Sequence, residues 1–172
     1  DGALNRQTKE NFNTVYRAKV SVAKNVVAAL PSSLGYPDFV LFATSISGVF
    51  GNPGQSNYAS GNCFVSALAK TVQNGASIAF PAINDIGVVT GPNGATIMGQ
   101  IEAQGLKCTE SFHLCQSIER VLIGISTGLK TIPEILPARM DYVVASEMLP
   151  SCVSLTKRII DELQLKKTVD CN

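Results

Sequence analysis

Three polar side chains, Ser45, Tyr58 and Asn62, have types and spacing that could bring them together around one ligand. Tyr58 stands four residues before Asn62, so both project from one face of a predicted helix. The phenol lies near the start of that helix, where partial positive charge favours an ionised or hydrogen-bonded form. Ser45 follows the apolar run FVLFAT, which predicts a buried strand, and ligands of open α/β sheets bind beyond the carboxyl ends of strands. We expect the three groups to converge, and paired hydroxyl donors there could stabilise an oxyanion or enolate.

A fourth polar residue, Lys19, falls on the apolar stripe of the first predicted helix. This helix is predicted from Thr8, its N-cap, to Leu30, because apolar residues recur at helical steps, namely Phe12, Val15, Val22 and Val26. Lys19 stands four residues after Val15 and three before Val22, so its side chain is predicted to point inward with theirs. Two interpretations stay open: the ammonium serves a site, or its stem snorkels to the surface.

The elements that must position these residues predict an α/β protein. Its expected form is a truncated Rossmann-like parallel sheet of few strands flanked by helices, in one domain over 1–172. The predicted helices are 8–30, 56–73, 95–104 and 109–125. The predicted strands are FVLFAT, SIAFPAINDIG and a short one near 142–145. With so few strands, the apolar strand FVLFAT has an open edge unless another segment covers it.

Composition excludes several classes of function. The chain has 172 residues, and its 14 basic and 13 acidic side chains give a net charge of +1, with no basic patch for nucleic acid. It lacks the run of about 18 apolar residues that a membrane span needs, and its first residues do not resemble a signal peptide, so a cytoplasmic protein is predicted. The five cysteines have no CxxC pair, which predicts reduced thiols and no metal site. His113, the single histidine, lies on a different predicted helix from Cys63, which disfavours a Cys/His catalytic pair.

One long segment carries a family resemblance. FVLFATSISGVFGNPGQSNYASGNCFVSALA resembles the active-site region of ketoreductase domains of reducing polyketide synthases, fungal type, in the short-chain dehydrogenase/reductase superfamily. Ordinary members of that superfamily carry a lysine four residues after the tyrosine, whereas polyketide ketoreductases carry an asparagine there and a lysine on the preceding helix. Asn62 follows Tyr58 at this spacing, and YRAKVSVAKNV is similar to the family's lysine helix, with Lys19 in place.

The resemblance implies a role for each of the four residues. Tyr58 would donate a proton to a carbonyl oxygen, and Ser45 would give that oxygen a second hydrogen bond. Lys19 would be the cation that makes the phenol an effective acid, and Asn62 would position Lys19 or a water. Around them we expect substrate contacts from five further residues: Ser47, Phe50, Gln55, Val88 and Val89.

The resemblance runs from about Asp1 to Tyr142 and covers only the second half of a ketoreductase domain. A dinucleotide site needs a glycine-rich turn between a first strand and a helix. The turn GVFGNPG precedes the Tyr58 helix, and GPNGATIMG follows no βαβ half, so neither fits. We expect no cofactor for this chain alone, and NADPH if a further half completes it; cofactor-binding residues stay unassigned.

Three functions stay open from the sequence. The first is a ketoreductase-derived enzyme that performs cofactor-independent acid/base chemistry (cyclisation, dehydration or isomerisation) on a β-oxo polyketide intermediate, free or bound to a carrier protein. The second is part of an NADPH-dependent β-ketoacyl reductase that a missing N-terminal half completes. The third is a non-catalytic dimerisation or docking module of a polyketide synthase. The expected associations are therefore a homodimer or a complex with such a synthase.

Overall fold

The computed structural model of the chain describes residues 2–30 and 35–128, and residues 139–140 as backbone. The chain divides into two compact units. The first comprises Asp1–Pro81 and Glu110–Pro137, and the second comprises Ala82–Thr109 and Ala138–Asn172. The single domain over 1–172 stays a prediction.

Six α-helices and four strands occur in the described residues. The helices are α1 Lys9–Val15, α2 Val22–Ala29, α3 Ile46–Phe50, α4 Ser56–Ala69, α5 Gly94–Glu102 and α6 Ser111–Ser126. The strands are β1 Val40–Ser45, β2 Gly75–Phe80, β3 Leu106–Lys107 and β4 Arg139–Met140. Shorter helical turns are 3-10 turns at Leu4–Arg6 and Gly87–Thr90 and a π turn at Tyr16–Ser21, which joins α1 to α2.

The first unit is built on a parallel pair of strands. β1 runs parallel to β2, from Val40 opposite Gly75 to Ser45 opposite Phe80. Helix α4 packs on both strands, and α3 and α6 contact β2. The predicted parallel sheet of few strands flanked by helices is therefore confirmed. Within the described residues β1 pairs with β2 alone, so its other edge carries no strand there.

Both ends of the loop between α4 and β2 differ from the sequence-based prediction. Helix α4 stops at Ala69 instead of continuing to 73, and β2 begins at Gly75, two residues earlier than predicted. Asn74 adopts φ 53°, a left-handed conformation that ends the turn, and a Cβ at Gly75 would collide with the carbonyl oxygen of Ala69. β2 ends at Phe80 because Pro81 has no N–H for the ladder, so the predicted continuation through PAINDIG was wrong.

The core of the first unit lies between α2, α4 and the sheet. Its buried apolar side chains form one cluster, namely Ala23, Phe42, Val65, Ala69 and Val72. We call α1, the π turn and α2 with their flanking residues the first helical segment, residues 8–30. Val27 and Leu30, near its end, pack against this cluster. The helix that carries Tyr58 and Asn62 is thus held on one side by the sheet and on another by α2.

The first helical segment begins as predicted but buries a different face. The Oγ1 of Thr8 accepts a hydrogen bond from the N–H of Asn11 at 3.2 Å, as expected of an N-cap. The predicted stripe was wrong at three positions, because Phe12, Val22 and Val26 are 39%, 54% and 44% exposed.

The π turn is the physical reason for the difference at Val22 and Val26, whereas Phe12 precedes the turn and its exposure has another origin. A π turn takes one residue more per hydrogen-bonded ring than an α-helix, so the residues that follow it are shifted by one position. Val20 and Ala23 are accordingly buried, at 3% and 6% exposure, and Val27 is half-buried. The inward-facing residues beyond the turn are each one position later than the α-helical pattern predicts.

The second unit contains a small sheet that the sequence did not reveal. β3 and β4 are antiparallel, with Leu106 opposite Met140 and Lys107 opposite Arg139. Helix α5 begins at Gly94, one residue before its predicted start. In the first unit, the predicted helix over 109–125 is confirmed as α6. The strand predicted near 142–145 lies outside the described residues.

Candidate active site

Asn62 links Lys19 to the first turn of α4. The Nζ of Lys19 donates a hydrogen bond to Oδ1 of Asn62 at 2.9 Å, and the Nδ2 of Asn62 donates to the carbonyl oxygen of Tyr58 at 2.9 Å. An ammonium can only donate and a carbonyl can only accept, so the two contacts fix the orientation of the amide. Asn62 is 1% exposed, which shields both hydrogen bonds from water.

Lys19 also lies over the ring of Tyr58. Its Nζ is 5.2 Å from the ring centroid, within the range of a cation–π contact. Both side chains are half-buried, and none of the described carboxylates forms an ion pair with Lys19. The positive charge therefore stays available to an anionic oxygen on a ligand. The structure thus brings together Lys19, Tyr58 and Asn62, and Lys19 points inward, as expected from the sequence.

Ser45 occupies the carboxyl end of β1 and is the N-cap of α3. Its Oγ accepts a hydrogen bond from the N–H of Ser47 at 3.2 Å, which leaves its hydroxyl proton free to donate. The hydroxyl of Tyr58 likewise has no hydrogen-bond partner among the described residues. Within the described residues, the hydroxyl groups of Ser45 and Tyr58 therefore donate no hydrogen bond and can donate to a ligand. Their joint action on one oxygen stays a prediction.

The predicted substrate contacts fall into two groups. In the loop between α3 and α4, the Oε1 of Gln55 accepts hydrogen bonds from Asn52 Nδ2 at 2.8 Å and from Ser47 Oγ at 3.5 Å. Phe50 ends α3 and is buried, so it packs inside the first unit. Val88 and Val89 belong to the second unit, where Val88 is 71% exposed and Val89 is buried. Contact of these residues with a substrate stays a prediction.

Asn57 is a site-supporting residue that the sequence interpretation missed. It is 2% exposed, its Oδ1 accepts from the N–H of Tyr58 at 2.9 Å, and its Nδ2 donates to the carbonyl oxygen of Asn11 at 3.2 Å. The Nε2 of Gln7 approaches the same Oδ1 at 3.5 Å. Asn57 therefore ties α1 to the turn that carries Tyr58. The available signal was its position, since an asparagine directly before a tyrosine at a helix start is placed to bond local backbone groups.

Gly48 and Gly54, near the candidate site, are the glycines that could approach the pyrophosphate of NADPH. A pyrophosphate cradle needs glycines whose missing side chains leave room for a ligand. Gly48 instead faces protein, because a Cβ there would lie 2.9 Å from Cβ of Asn62, and β1 passes directly into α3 without a glycine turn. The nearest atoms to a Cβ at Gly54 are backbone atoms of Gly2 at 3.7 and 3.8 Å. Gly48 and Gly54 therefore do not form a cradle for the nucleotide's pyrophosphate.

Other candidate chemistry finds less support. The thiol of Cys63 donates to the carbonyl oxygen of Gly48 at 2.8 Å, and His113 is exposed on α6 with Nδ1 3.2 Å from Oε1 of Gln116. Burial and the nearby carboxylate of Glu102 raise the pKa of the Cys108 thiol, which disfavours a nucleophilic thiolate there. Among the described residues no group of three or more His, Cys, Asp or Glu side chains could bind a metal ion. In the same residues no helix has the length and apolar character to cross a membrane.

Comparison with known proteins decides the family. Residues 1–85, which contain Lys19, Ser45, Tyr58 and Asn62, match the family model of the KR domain. Curated relatives include the reducing polyketide synthase DEP5 of Alternaria brassicicola, 31% identical over 127 residues and 72% of this chain. The chain is a polyketide-synthase ketoreductase-like protein. A second relative of this ketoreductase-like chain, the reducing polyketide synthase PKS1 of Cochliobolus heterostrophus, is 33% identical over 69% of it.

Solved structures agree on the fold of the ketoreductase-like chain. A-type ketoreductases from a modular polyketide synthase match with a TM-score of 0.72 and 20% identity, over 88% of this chain and 30% of theirs. A ketoreductase domain from the bacillaene assembly line matches with a TM-score of 0.61 and 23% identity, over 87% of this chain and 36% of that one. These matches confirm the truncated Rossmann-like fold. The chain spans about 5% of the length of the two curated relatives.

Proposed function

We propose that the chain polarises the β-oxo group of a polyketide intermediate and performs acid/base chemistry that needs no hydride. The observation that carries this proposal is the Lys19–Asn62–Tyr58 cluster, which is complete within the described residues and leaves the phenol hydroxyl unpaired there. Neither Gly48 nor Gly54 provides a pyrophosphate cradle, so we propose chemistry that the cluster can perform without a nucleotide. The substrate class is taken from the polyketide synthase relatives.

The proposed step is enolisation. Tyr58 and Ser45 donate hydrogen bonds to the β-oxo oxygen, and a solvent base removes a proton from the adjacent carbon. The C–H bonding pair becomes the C=C bond of the enolate, while the π pair of the carbonyl moves to the oxygen. The positive charge of Lys19, held by Asn62 at 2.9 Å, stabilises the negative charge that develops. The enolate then attacks a second carbonyl of the same polyketide, is reprotonated at the γ carbon where a C=C bond extends its conjugation, or expels a hydroxyl group β to the carbonyl as hydroxide, which takes a proton from solvent. These routes give cyclisation, isomerisation and dehydration.

Deuterium exchange at the carbon next to the oxo group tests this step. A β-oxoacyl thioester in D₂O is followed by proton NMR, and its spontaneous exchange rate is subtracted. We expect Tyr58→Phe to lower the protein-dependent rate by about 100-fold, the lower end of general acid catalysis. Tyr16→Phe is the matched control, since Tyr16 is 49% exposed on the first helical segment. Equal rates for the native chain and Tyr58→Phe would overturn the proposal.

A second candidate is an NADPH-dependent β-ketoacyl reductase in which other residues complete the nucleotide site. The specific observation that favours it is the open side of β1, where Phe39 is 45% exposed, Ala43 is exposed, and only one edge pairs with a described strand. An apolar strand of this kind is expected to be covered in the functional protein. The test is NADPH titration of the chain with and without the nucleotide-binding half of a reducing polyketide synthase ketoreductase. Binding that appears only in the mixture would favour this candidate.

A homodimer is the association that the surface supports best. Four apolar side chains of the first helical segment are 39% to 54% exposed, namely Phe12, Tyr16, Val22 and Val26. Large exposed apolar patches commonly mark contact surfaces, and we propose that these four side chains form one. Sedimentation velocity of the native chain and of Val22→Lys tests this proposal, with a dimer expected for the first and a monomer for the second. A cytoplasmic location, association with a synthase and delivery of the intermediate by a carrier protein stay predictions.

A further inference from the structure

We propose that Gly48 and Gly61 are positioning residues that set the contact between Lys19 and Asn62. Gly61 is buried on α4 directly before Asn62, and Gly48 lies on α3, which packs against α4. Neither glycine has a left-handed φ, so backbone conformation does not explain their presence. At both positions an added Cβ would lie 2.9 Å from a neighbouring side-chain carbon, of Val15 for Gly61 and of Asn62 for Gly48.

Gly61 controls how closely the end of α1 and the π turn that follows it approach α4. A Cβ at Gly61 would lie 2.9 Å from Cγ1 of Val15 and 3.7 Å from Cβ of Lys19. A carbon–carbon contact of 2.9 Å is well inside the optimal separation of about 3.5 to 4.0 Å, so Val15 would have to move. Valine has few side-chain rotamers in a helix, and the helix that carries it also carries Lys19. A side chain at position 61 is therefore expected to displace Lys19 from Asn62.

Gly48 acts on the same contact from Asn62. A Cβ at Gly48 would lie 2.9 Å from Cβ of Asn62 and 3.2 Å from the backbone N of Cys63. Because the N of Cys63 is a backbone atom, rotation of a side chain cannot relieve this clash. The added Cβ would therefore push α3 and the turn of α4 that carries Asn62 apart. Asn62 is 1% exposed and bonded at both ends of its amide, so a shift changes both hydrogen bonds.

The test measures the energetic coupling between Lys19 and Asn62 in the full chain. Lys19→Met, Asn62→Leu and the double variant form a mutant cycle, with urea unfolding followed by circular dichroism. In the native chain we expect the pair to contribute about tenfold to the unfolding equilibrium constant. We expect this factor to fall below about twofold when the cycle is repeated with Gly61→Ala or Gly48→Ala. Gly99→Ala is the matched control, since Gly99 on α5 has nothing within 4 Å of its Cβ position.

A rescue variant separates positioning from a general effect on folding. Val15→Ala removes the Cγ1 atom that the new Cβ at position 61 would meet. The double variant Gly61→Ala, Val15→Ala is expected to regain the coupling between Lys19 and Asn62, although Val15→Ala alone lowers stability. Unchanged coupling in Gly61→Ala would overturn the proposal, and so would loss of coupling that Val15→Ala does not restore.

The catalytic role of this positioning rests on the proposed function, whereas the energetic coupling between Lys19 and Asn62 can be measured without it. Deuterium exchange at the β-oxoacyl thioester is measured on the same variants. Coupling that responds to the glycine substitutions in a chain with no exchange activity would uphold the positioning and contradict the proposed chemistry. Exchange activity that survives in Gly61→Ala with native coupling would contradict the positioning alone.

Discussion

The two faces of the first helical segment differ in how far the rest of the chain completes them. On the inner face, Val20 is 3% exposed and Lys19 is hydrogen-bonded to Asn62 on α4. On the outer face, Val22 is as apolar as Val20 and Tyr16 carries a large aromatic ring, yet they are 54% and 49% exposed. In this segment, apolar residues at helical spacing therefore include exposed positions as well as buried ones. Only the inner face is bound to the residues of the candidate site.

The largest expected effect contrasts two lysines of this segment. Lys19 contacts Asn62, whereas Lys24 is exposed on α2. We expect Lys19→Met to lower the rate of α-deuterium exchange by about 100-fold, as expected for loss of a group that stabilises a developing oxyanion. Lys24→Met should leave the rate unchanged. The measurement is the NMR exchange assay. An equal loss of exchange rate in both variants would contradict the claim that only the inner face serves the site.

The register after the π turn gives the second prediction. Val20→Ala removes two buried methyl groups and should lower the free energy of unfolding by about 2 kcal/mol. Val22→Ala, at an exposed helical position, should change it by less than about 0.5 kcal/mol. Urea unfolding of both variants measures the difference. The reverse order would mean that Val22 faces the core and that the segment is a regular α-helix, as the sequence pattern predicts.

The contact between α1 and the Tyr58 turn gives a smaller effect. Asn57→Ala leaves the carbonyl oxygen of Asn11 without its 3.2 Å partner and should destabilise the chain by about 1 kcal/mol. It should also reduce the exchange rate, because the N–H of Tyr58 loses its bond to Asn57. Asn13→Ala, at an exposed position of α1, is the control. Thermal unfolding together with the exchange assay checks both parts.

Local sequence signals predicted the parts of the site that depend on one element. The four-residue spacing of Tyr58 and Asn62, the capping by Thr8 and the strand before Ser45 follow from helix and strand geometry alone. The inward position of Lys19 was also predicted, although the stripe used to predict it was wrong beyond the π turn. A π turn has no clear sequence signature, because it depends on how the two ends of the segment pack on α4.

Other features depend on contacts between distant residues and could not be predicted from local patterns. Asn57 bonds to Asn11, 46 positions away, and β3 pairs with β4 across more than 30 residues. The early end of α4 at Ala69 is followed by a tight turn in which a Cβ at Gly75 would collide with the carbonyl oxygen of Ala69. Spacing rules describe single helices and strands, so they cannot predict contacts between residues that are distant in sequence.

The central claim is that the site acts on a β-oxo group without a hydride. The most direct test follows one sample of the full chain and a β-oxoacyl thioester in D₂O by NMR, first without nucleotide and then after addition of NADPH. The account predicts deuterium incorporation faster than the spontaneous rate before NADPH is added and no alcohol product afterwards. Incorporation at only the spontaneous rate before the addition, followed by formation of the β-hydroxy product, would contradict it and make the chain a reductase.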